Sequence, residues 1–212
     1  VEEAMIEDII RQVMDALREK EQVNNAFPVE ASARHVHLSP EHVSVLFGPE
    51  YEMAKKKDLS QPGQYQCEER VTLIGPRGVI KGVAILGPPR IKTQVELSMT
   101  DARVLGVNAP VRESGQLEGS ATIYIATERG VIEAKESTIV AKRHIHMDTR
   151  DAQRFEVVDK EIVAVRVLSH RPLIFDDVVV RVNDSYRLSM HIDFDEANAA
   201  GYTQGVFGEI YK

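Results

Sequence analysis

Two short segments carry the side chains best suited to chemistry. Arg34-His35-Val36-His37 and Arg143-His144-Ile145-His146 each set two imidazoles one residue apart around an apolar residue. In an extended strand, side chains alternate faces. His35 and His37 therefore share one face, as do His144 and His146, while Val36 and Ile145 turn the opposite way. Imidazole suits zinc and its first-row neighbours, so each pair is a two-point metal clamp. One such pair alone has an ordinary reading as core or surface histidine; two of them in a repeat favour ligation.

The repeat is internal to the chain. ASARHVHLSPEHVSVLF (31–47) matches VAKRHIHMDTRDAQRF (140–155), and ELSMTDARVLG (96–106) is echoed in the same order by RLSMHIDFDEANAAG (187–201). Two copies of one unit around a shared site explain the pattern. The echo offers each pair a third donor, because Glu96 precedes the first Leu-Ser-Met and His191 follows the second. Two candidate ligand sets result: His35, His37 and Glu96, and His144, His146 and His191. Three protein donors per ion leave room for water or substrate, the pattern of catalytic zinc. Glu96 has a plain alternative as a surface acid beside Lys92. His42 and His170 read as non-ligands.

Arg90 stands in the Gly/Pro-shaped loop ILGPPRIKTQVE just before Glu96. An arginine held there suits a bidentate grip on phosphate or carboxylate, although a surface salt bridge would also account for it. Arg34 and Arg143 would face away from the imidazoles, which points to structural pairing. Ser114 closes the loop NAPVRESG, and its hydroxyl could orient an acyl or phosphoryl oxygen. Cys67 opens a β-type run and reads as a buried structural thiol. Lys55-Lys56-Lys57 reads as a solvated loop within an insertion in the first copy. There is no Walker loop, Rossmann glycine pattern or G-x-S-x-G elbow.

The elements that must position these residues are mostly short strands. RVTLIG, GVIKGVAILG, ATIYIA, EIVAVRV and DVVVRV are broken by Gly and Pro, and this predicts small barrels or sandwiches instead of a doubly wound α/β sheet. Helices are expected at SPEHVSVLFG, DTRDAQRF and DFDEANAAG. Residues 1–20 form a different pattern: Met5, Ile6, Ile9, Ile10, Val13, Met14 and Leu17 line one face of an amphipathic helix. That helix would pack on its own domain or dock onto a partner.

Composition sets the outer limits. The 212 residues carry 33 acidic and 26 basic side chains, a formal charge of -7, which speaks against a general nucleic-acid binder. No apolar run approaches the roughly 20 residues of a membrane span. One cysteine excludes an internal disulfide and suits a reducing, cytoplasmic setting.

ASARHVHLS, CEERVTLIGPRG, LGPPRIKTQVELS, NAPVRESG, KRHIHM and YRLSMHIDFDEANAAG together resemble the PduL-type phosphate acyltransferases (phosphate propanoyltransferases) of bacterial microcompartments. The likeness spans about residues 24–212. It implies a mainly β fold of two closely packed small barrels with two zinc ions between them. The first strand would cross over, so that 24–33 joins 142–212 in one barrel and 34–120 forms the other. It assigns His35, His37 and Glu96 to one zinc, His144, His146 and His191 to the other, phosphate binding to Arg90 and a pocket position to Ser114. It also implies acyl-CoA and phosphate as substrates, coenzyme A as the acyl carrier and a homo-oligomer. The helix over 1–20 would direct the protein to microcompartment shell or cargo proteins. MDTRDAQ departs from the more usual MSPEDA, and Ile91 stands where a polar residue is common; neither change removes a ligand.

The expected reaction is reversible exchange of coenzyme A and phosphate on a short acyl group, propanoyl or acetyl, by direct attack. Two rivals use the same residues: a zinc-dependent acyl-CoA thioesterase or other metal hydrolase, and a non-catalytic metal-stabilised scaffold.

Overall fold

The computed structural model describes residues 25–211; the helix expected over 1–20 lies outside that range. Of the fourteen strands among the described residues, twelve form two closed rings packed together. One ring runs β1 (Ala26–Ser32), β13 (Ser189–Asp193), β10 (His144–Met147), β12 (Leu173–Val182), β11 (Ile162–Leu168) and β14 (Phe207–Tyr211), with β14 paired back to β1. The other runs β4 (Tyr65–Ile74), β5 (Val79–Gly87), β2 (His35–His37), β6 (Gln94–Leu97), β9 (Val131–Ala141) and β8 (Ala121–Ala126), with β8 paired back to β4. Two short strands extend the second ring: β3 (Lys55–Asp58) beside β4 and β7 (Val111–Arg112) beside β9.

Each ring encloses its own apolar core. Val36, Ile85 and Leu73 belong to one, Ile145, Val180 and Met190 to the other, and all are fully buried. Alternation along β2 and β10 therefore works as the sequence predicts. The apolar residue between each pair of histidines enters a barrel core, and the histidines face outward into the cleft between the barrels.

The rings are equivalent strand by strand. The paired histidines lie on β2 and β10; each of these runs parallel to one neighbour (β5 or β12) and antiparallel to another (β6 or β13). Beyond β6 lies β9, and beyond β13 lies β1, both parallel. The barrels thus exchange one strand each. β1 lies in the second barrel but leads into β2 of the first, and β9 lies in the first but leads into β10 of the second. Residues 121–141, which the sequence reading gives to neither barrel, supply β8 and β9 to the first.

Both crossings end in an arginine tied to a helix. Arg34 Nε donates to Asp101 Oδ2 at 2.8 Å, and Arg143 lies 3.2 Å from Glu196. Structural pairing, expected for both arginines, is what the fold contains.

Among the described residues, four short helices cap the barrels: α1 (Pro40–Phe47), α2 (Met99–Leu105), α3 (Thr149–Phe155) and α4 (Phe194–Ala199). Their N-caps are Ser39, Ser98, Asp148 and Asp193, and each side chain accepts a backbone N–H from the first turn. α2 is absent from the sequence reading, although Ser98 and the left-handed Gly106 mark its two ends. Lys55-Lys56-Lys57 also differs from expectation. It is not a loop but the exposed edge strand β3, where a row of lysines discourages further strand pairing. Among the described residues, no helix is long and apolar enough to cross a membrane.

Candidate metal and phosphate site

Both sets of candidate ligands line one cavity of about 470 Å³ between the barrels. A nitrogen or carboxylate oxygen from each of His35, His37 and Glu96 lies within 4.8 Å of the other two, and the same holds for His144, His146 and His191. Strand register produces this convergence. Glu96 sits directly opposite His35 on β6, and His191 directly opposite His144 on β13. The Leu-Ser-Met echo is consequently not the structural repeat: Ser98 corresponds to Asp193, since each caps a helix two residues after the third donor, whereas Ser189 lies within β13.

The tautomers are set by the backbone at two positions. His35 Nδ1 lies 2.8 Å from the Ala33 carbonyl, and His144 Nδ1 lies 2.8 Å from the Lys142 carbonyl. A carbonyl only accepts, so both Nδ1 atoms carry a proton and both Nε2 atoms are turned to the cleft. Burial opposes charge on His35, but Glu96 and the Ala33 carbonyl raise it above its usual value. His144 Nε2 and His146 Nε2 are 3.0 Å apart, and the His191 ring centre is 5.3 Å from that of His144 and 4.9 Å from that of His146. Burial, reinforced by neighbouring imidazoles and Arg181, lowers His144 to about 4 and His146 to about 2. With its Nδ1 proton on the Lys142 carbonyl, neutral His144 accepts at Nε2: from His146 when no cation is bound, and toward a cation when one is.

The first set carries a charge of its own. His35 Nε2 is 3.4 Å from Glu96 Oε2. Burial opposes ionisation of Glu96, but His35, His37 and Arg90 hold its carboxyl well below the usual range. His37 is depressed by burial and by His35 and Arg90. Its Nδ1, like that of His146, is buried without a hydrogen-bond partner. Two imidazoles and a carboxylate on one side, and three imidazoles on the other, are donor sets that suit zinc, with positions left for further ligands.

Arg90 reaches the same cavity. Its Nη1 donates to Ser114 Oγ at 3.1 Å, and that hydroxyl lies 3.0 Å from Glu96 Oε1. Gln94, two residues before Glu96 on the same strand face, donates to both Ser114 Oγ (2.8 Å) and Glu96 Oε1 (2.5 Å). Its own carbonyl accepts from the Gly115 amide at 2.8 Å. The arginine is therefore held beside Glu96 through Ser114 and, among the described residues, makes no direct ion pair.

His42, by contrast, bonds Thr93 Oγ1 through Nδ1 at 2.6 Å, and His170 is exposed in the turn after β11; neither joins a cluster. Cys67 is buried in the first barrel, where burial and Glu69 raise its thiol to about 11. Arg181 and Gln94 are absent from the sequence reading. Arg181 pairs with His146 across β10 and β12, lines the cavity and donates to the Tyr186 hydroxyl at 3.4 Å. A signal for it exists in DVVVRV, where one charge interrupts an apolar run.

The family model of phosphate propanoyltransferase matches residues 28–203. The chain belongs to that family. Relatives named phosphate propanoyltransferase include one from Clostridioides difficile (strain 630), 52% identical with 99% of each chain covered. One from Alkaliphilus metalliredigens (strain QYMF) is 53% identical over the full length of both. Another from Thermotoga maritima is 49% identical, covering 91% of this chain and 94% of its own. The matched region takes in all six candidate metal donors together with Arg90 and Ser114.

Proposed function

We propose that this protein is a zinc-dependent phosphate acyltransferase that transfers a short acyl group, propanoyl or acetyl, reversibly between coenzyme A and inorganic phosphate. The observation that carries the proposal is the meeting of two three-donor clusters and the Ser114-held Arg90 in one cavity. Membership of the phosphate propanoyltransferase family supports the same activity.

Arg90 binds the phosphate through its guanidinium fork and turns one phosphate oxygen toward the thioester carbonyl carbon. Ser114 and Gln94 fix the orientation of that fork. Arg181 brings a second positive charge from the other barrel, which offsets charge collecting on phosphate and carbonyl oxygens. When bound at the two clusters, zinc supplies Lewis-acid charge for the carbonyl oxygen and favours a departing thiolate over a thiol. A new O–C bond forms, the C–S bond breaks, and coenzyme A leaves as the thiolate with the electron pair.

No acyl-enzyme is required. Cys67, the one thiol, lies inside a barrel core with its ionisation suppressed, so direct attack by phosphate is the simpler course. The amphipathic pattern of residues 1–20 supports a docking role toward microcompartment shell or cargo proteins, which attaching that segment to a fluorescent reporter would test.

The activity is tested by following coenzyme A release and acyl phosphate formation from propanoyl-CoA, with and without phosphate. Both should depend on phosphate, and Arg90→Ala should remove most of the turnover. Equal coenzyme A release without phosphate would point to a thioesterase, and undiminished turnover in Arg90→Ala would remove the arginine from its assigned role.

A further inference from the structure

The two clusters differ in charge, and the residue flanking each of them differs in a compensating way. Across the first barrel, one row of side chains reads His35, Glu96, Ile139 on β2, β6 and β9. The corresponding row of the second barrel reads His144, His191, Glu30 on β10, β13 and β1. Each row thus holds one carboxylate, but in different columns. In the first it is the third donor, backed by a fully buried Ile139. In the second the third donor is an imidazole, and the carboxylate stands one strand further out.

Glu30 is fastened in that place. Its Oε2 lies 3.4 Å from His191 Nε2 and accepts from the Ser60 hydroxyl. Ser60 lies between β3 and β4, in the insertion of the first barrel, and the next residue clamps the same region. Gln61 Nε2 donates to the Arg187 carbonyl at 2.8 Å and to Ser189 Oγ at 2.9 Å, and its Oε1 accepts from the Arg187 amide at 3.2 Å. Ser189 Oγ in turn lies 3.1 Å from His191 Nε2. The first barrel therefore reaches across the cleft to hold both neighbours of His191.

Three neutral imidazoles offset none of the charge of a divalent cation, whereas Glu96 offsets one unit at the other cluster. We infer that Glu30 is a positioning residue of the second cluster, braced by Ser60 from the opposite barrel, and supplies beside His191 the negative charge that the three-histidine donor set lacks. The inference rests on the two-zinc reading above. It also gives the insertion of the first barrel a role, since its docking sets the carboxylate in place.

The test uses the full-length protein, stripped of metal and titrated with Zn²⁺ against a chromophoric chelator. Glu30→Gln should leave one equivalent at the parent affinity and weaken the other by about tenfold or more, the scale seen for carboxylates that support metal ligands. Glu30→Asp should recover part of the loss, and Ser60→Ala should weaken the same equivalent by less. Adding Glu30→Gln to a His37→Ala protein, in which the first cluster is broken, should weaken the remaining equivalent. The melting temperature of each stripped single variant, compared with stripped parent, separates loss of metal from loss of fold. Two equivalents bound by Glu30→Gln at parent affinity would overturn the inference and leave the two-zinc reading standing. A parent protein that takes up no metal would overturn both.

Discussion

The Arg90 guanidinium and the Ser114 hydroxyl are bonded across 3.1 Å, and the same hydroxyl lies 3.0 Å from Glu96 Oε1. One small side chain thus joins the arginine proposed to bind phosphate to a candidate metal donor. It does so from the loop after β7, remote in sequence from both partners.

Ser114→Ala removes that join but keeps Arg90, Glu96 and Gln94. Loss of one hydrogen bond to a charged group costs about 1.5–3 kcal/mol. KM for phosphate should therefore rise by roughly ten- to a hundredfold, with metal content unchanged. Steady-state kinetics at varied phosphate, with zinc analysis of the same samples, checks both halves.

Removal of metal should be felt in stability as well as turnover. Without a cation, His144 and His146 remain as buried neutral imidazoles whose Nε2 atoms lie 3.0 Å apart, and the Nδ1 of His146 has no partner. Chelation should abolish acyl phosphate formation, and zinc should restore it. A free zinc concentration about 100 times Kd adds about 2.7 kcal/mol of stability for one site. Scanning calorimetry with and without chelator measures the change. An unchanged melting temperature would count against binding at these clusters.

The chelated protein should also be acid-sensitive. His144 titrates at about 4 in the fold and near 6.5 when unfolded. Between those values the unfolded chain binds the extra proton, so stability rises with pH across the window. It is fully present above about pH 6.5 and lost as pH falls toward 4, with about 3 kcal/mol at stake for this one group. Urea unfolding of chelated protein at pH 7.5, 6 and 5 should show the midpoint fall; a flat midpoint would contradict the buried neutral imidazole.

The histidine pairs were legible because strand geometry is local: a period of two places His35 and His37 together whatever surrounds them. The third donors were legible through their neighbourhood, but the Leu-Ser-Met echo aligned Ser98 with Ser189, where strand register aligns it with Asp193. A truer local signal lies in His37-Leu38-Ser39, Glu96-Leu97-Ser98, His146-Met147-Asp148 and His191-Ile192-Asp193. In each, a donor facing the cleft is followed by a buried apolar residue and then a helix N-cap. The placement of Glu30 beside His191 was not legible, because it depends on β1 pairing with a strand some 160 residues later, and no periodicity in either segment encodes that partner. Arg181 shows in the sequence only as one charge interrupting DVVVRV; its place opposite His146 follows from strand register.

The barrel core should be coupled to the site through the residue between each pair of histidines. Ile145 is fully buried in the second core, and truncation to alanine should cost about 2–5 kcal/mol. The cavity lies directly behind His144 and His146, so the variant should also bind zinc more weakly at that cluster alone. Denaturant unfolding and zinc titration of Ile145→Ala, set beside Val36→Ala on the opposite barrel, should show each variant weakening its own cluster.

The donor–apolar–cap pattern gives a further prediction at a residue that touches no donor. The Ser98 side chain accepts the Asp101 amide at 3.2 Å and fixes the chain direction immediately after Glu96-Leu97. In Ser98→Ala the start of α2 loses its cap, at a cost of about 1 kcal/mol. Asp101, which anchors Arg34 at 2.8 Å, is then held less firmly, and so is the crossing that delivers His35. The expected result is a small drop in melting temperature together with weaker zinc binding at the first cluster. Asp148→Ala should do the same for the second, because its carboxylate accepts the Asp151 amide at 2.7 Å just after His146-Met147. If both variants lost stability but kept two tight zinc sites, the caps would be features of helix stability alone and the strands would hold the donors unaided.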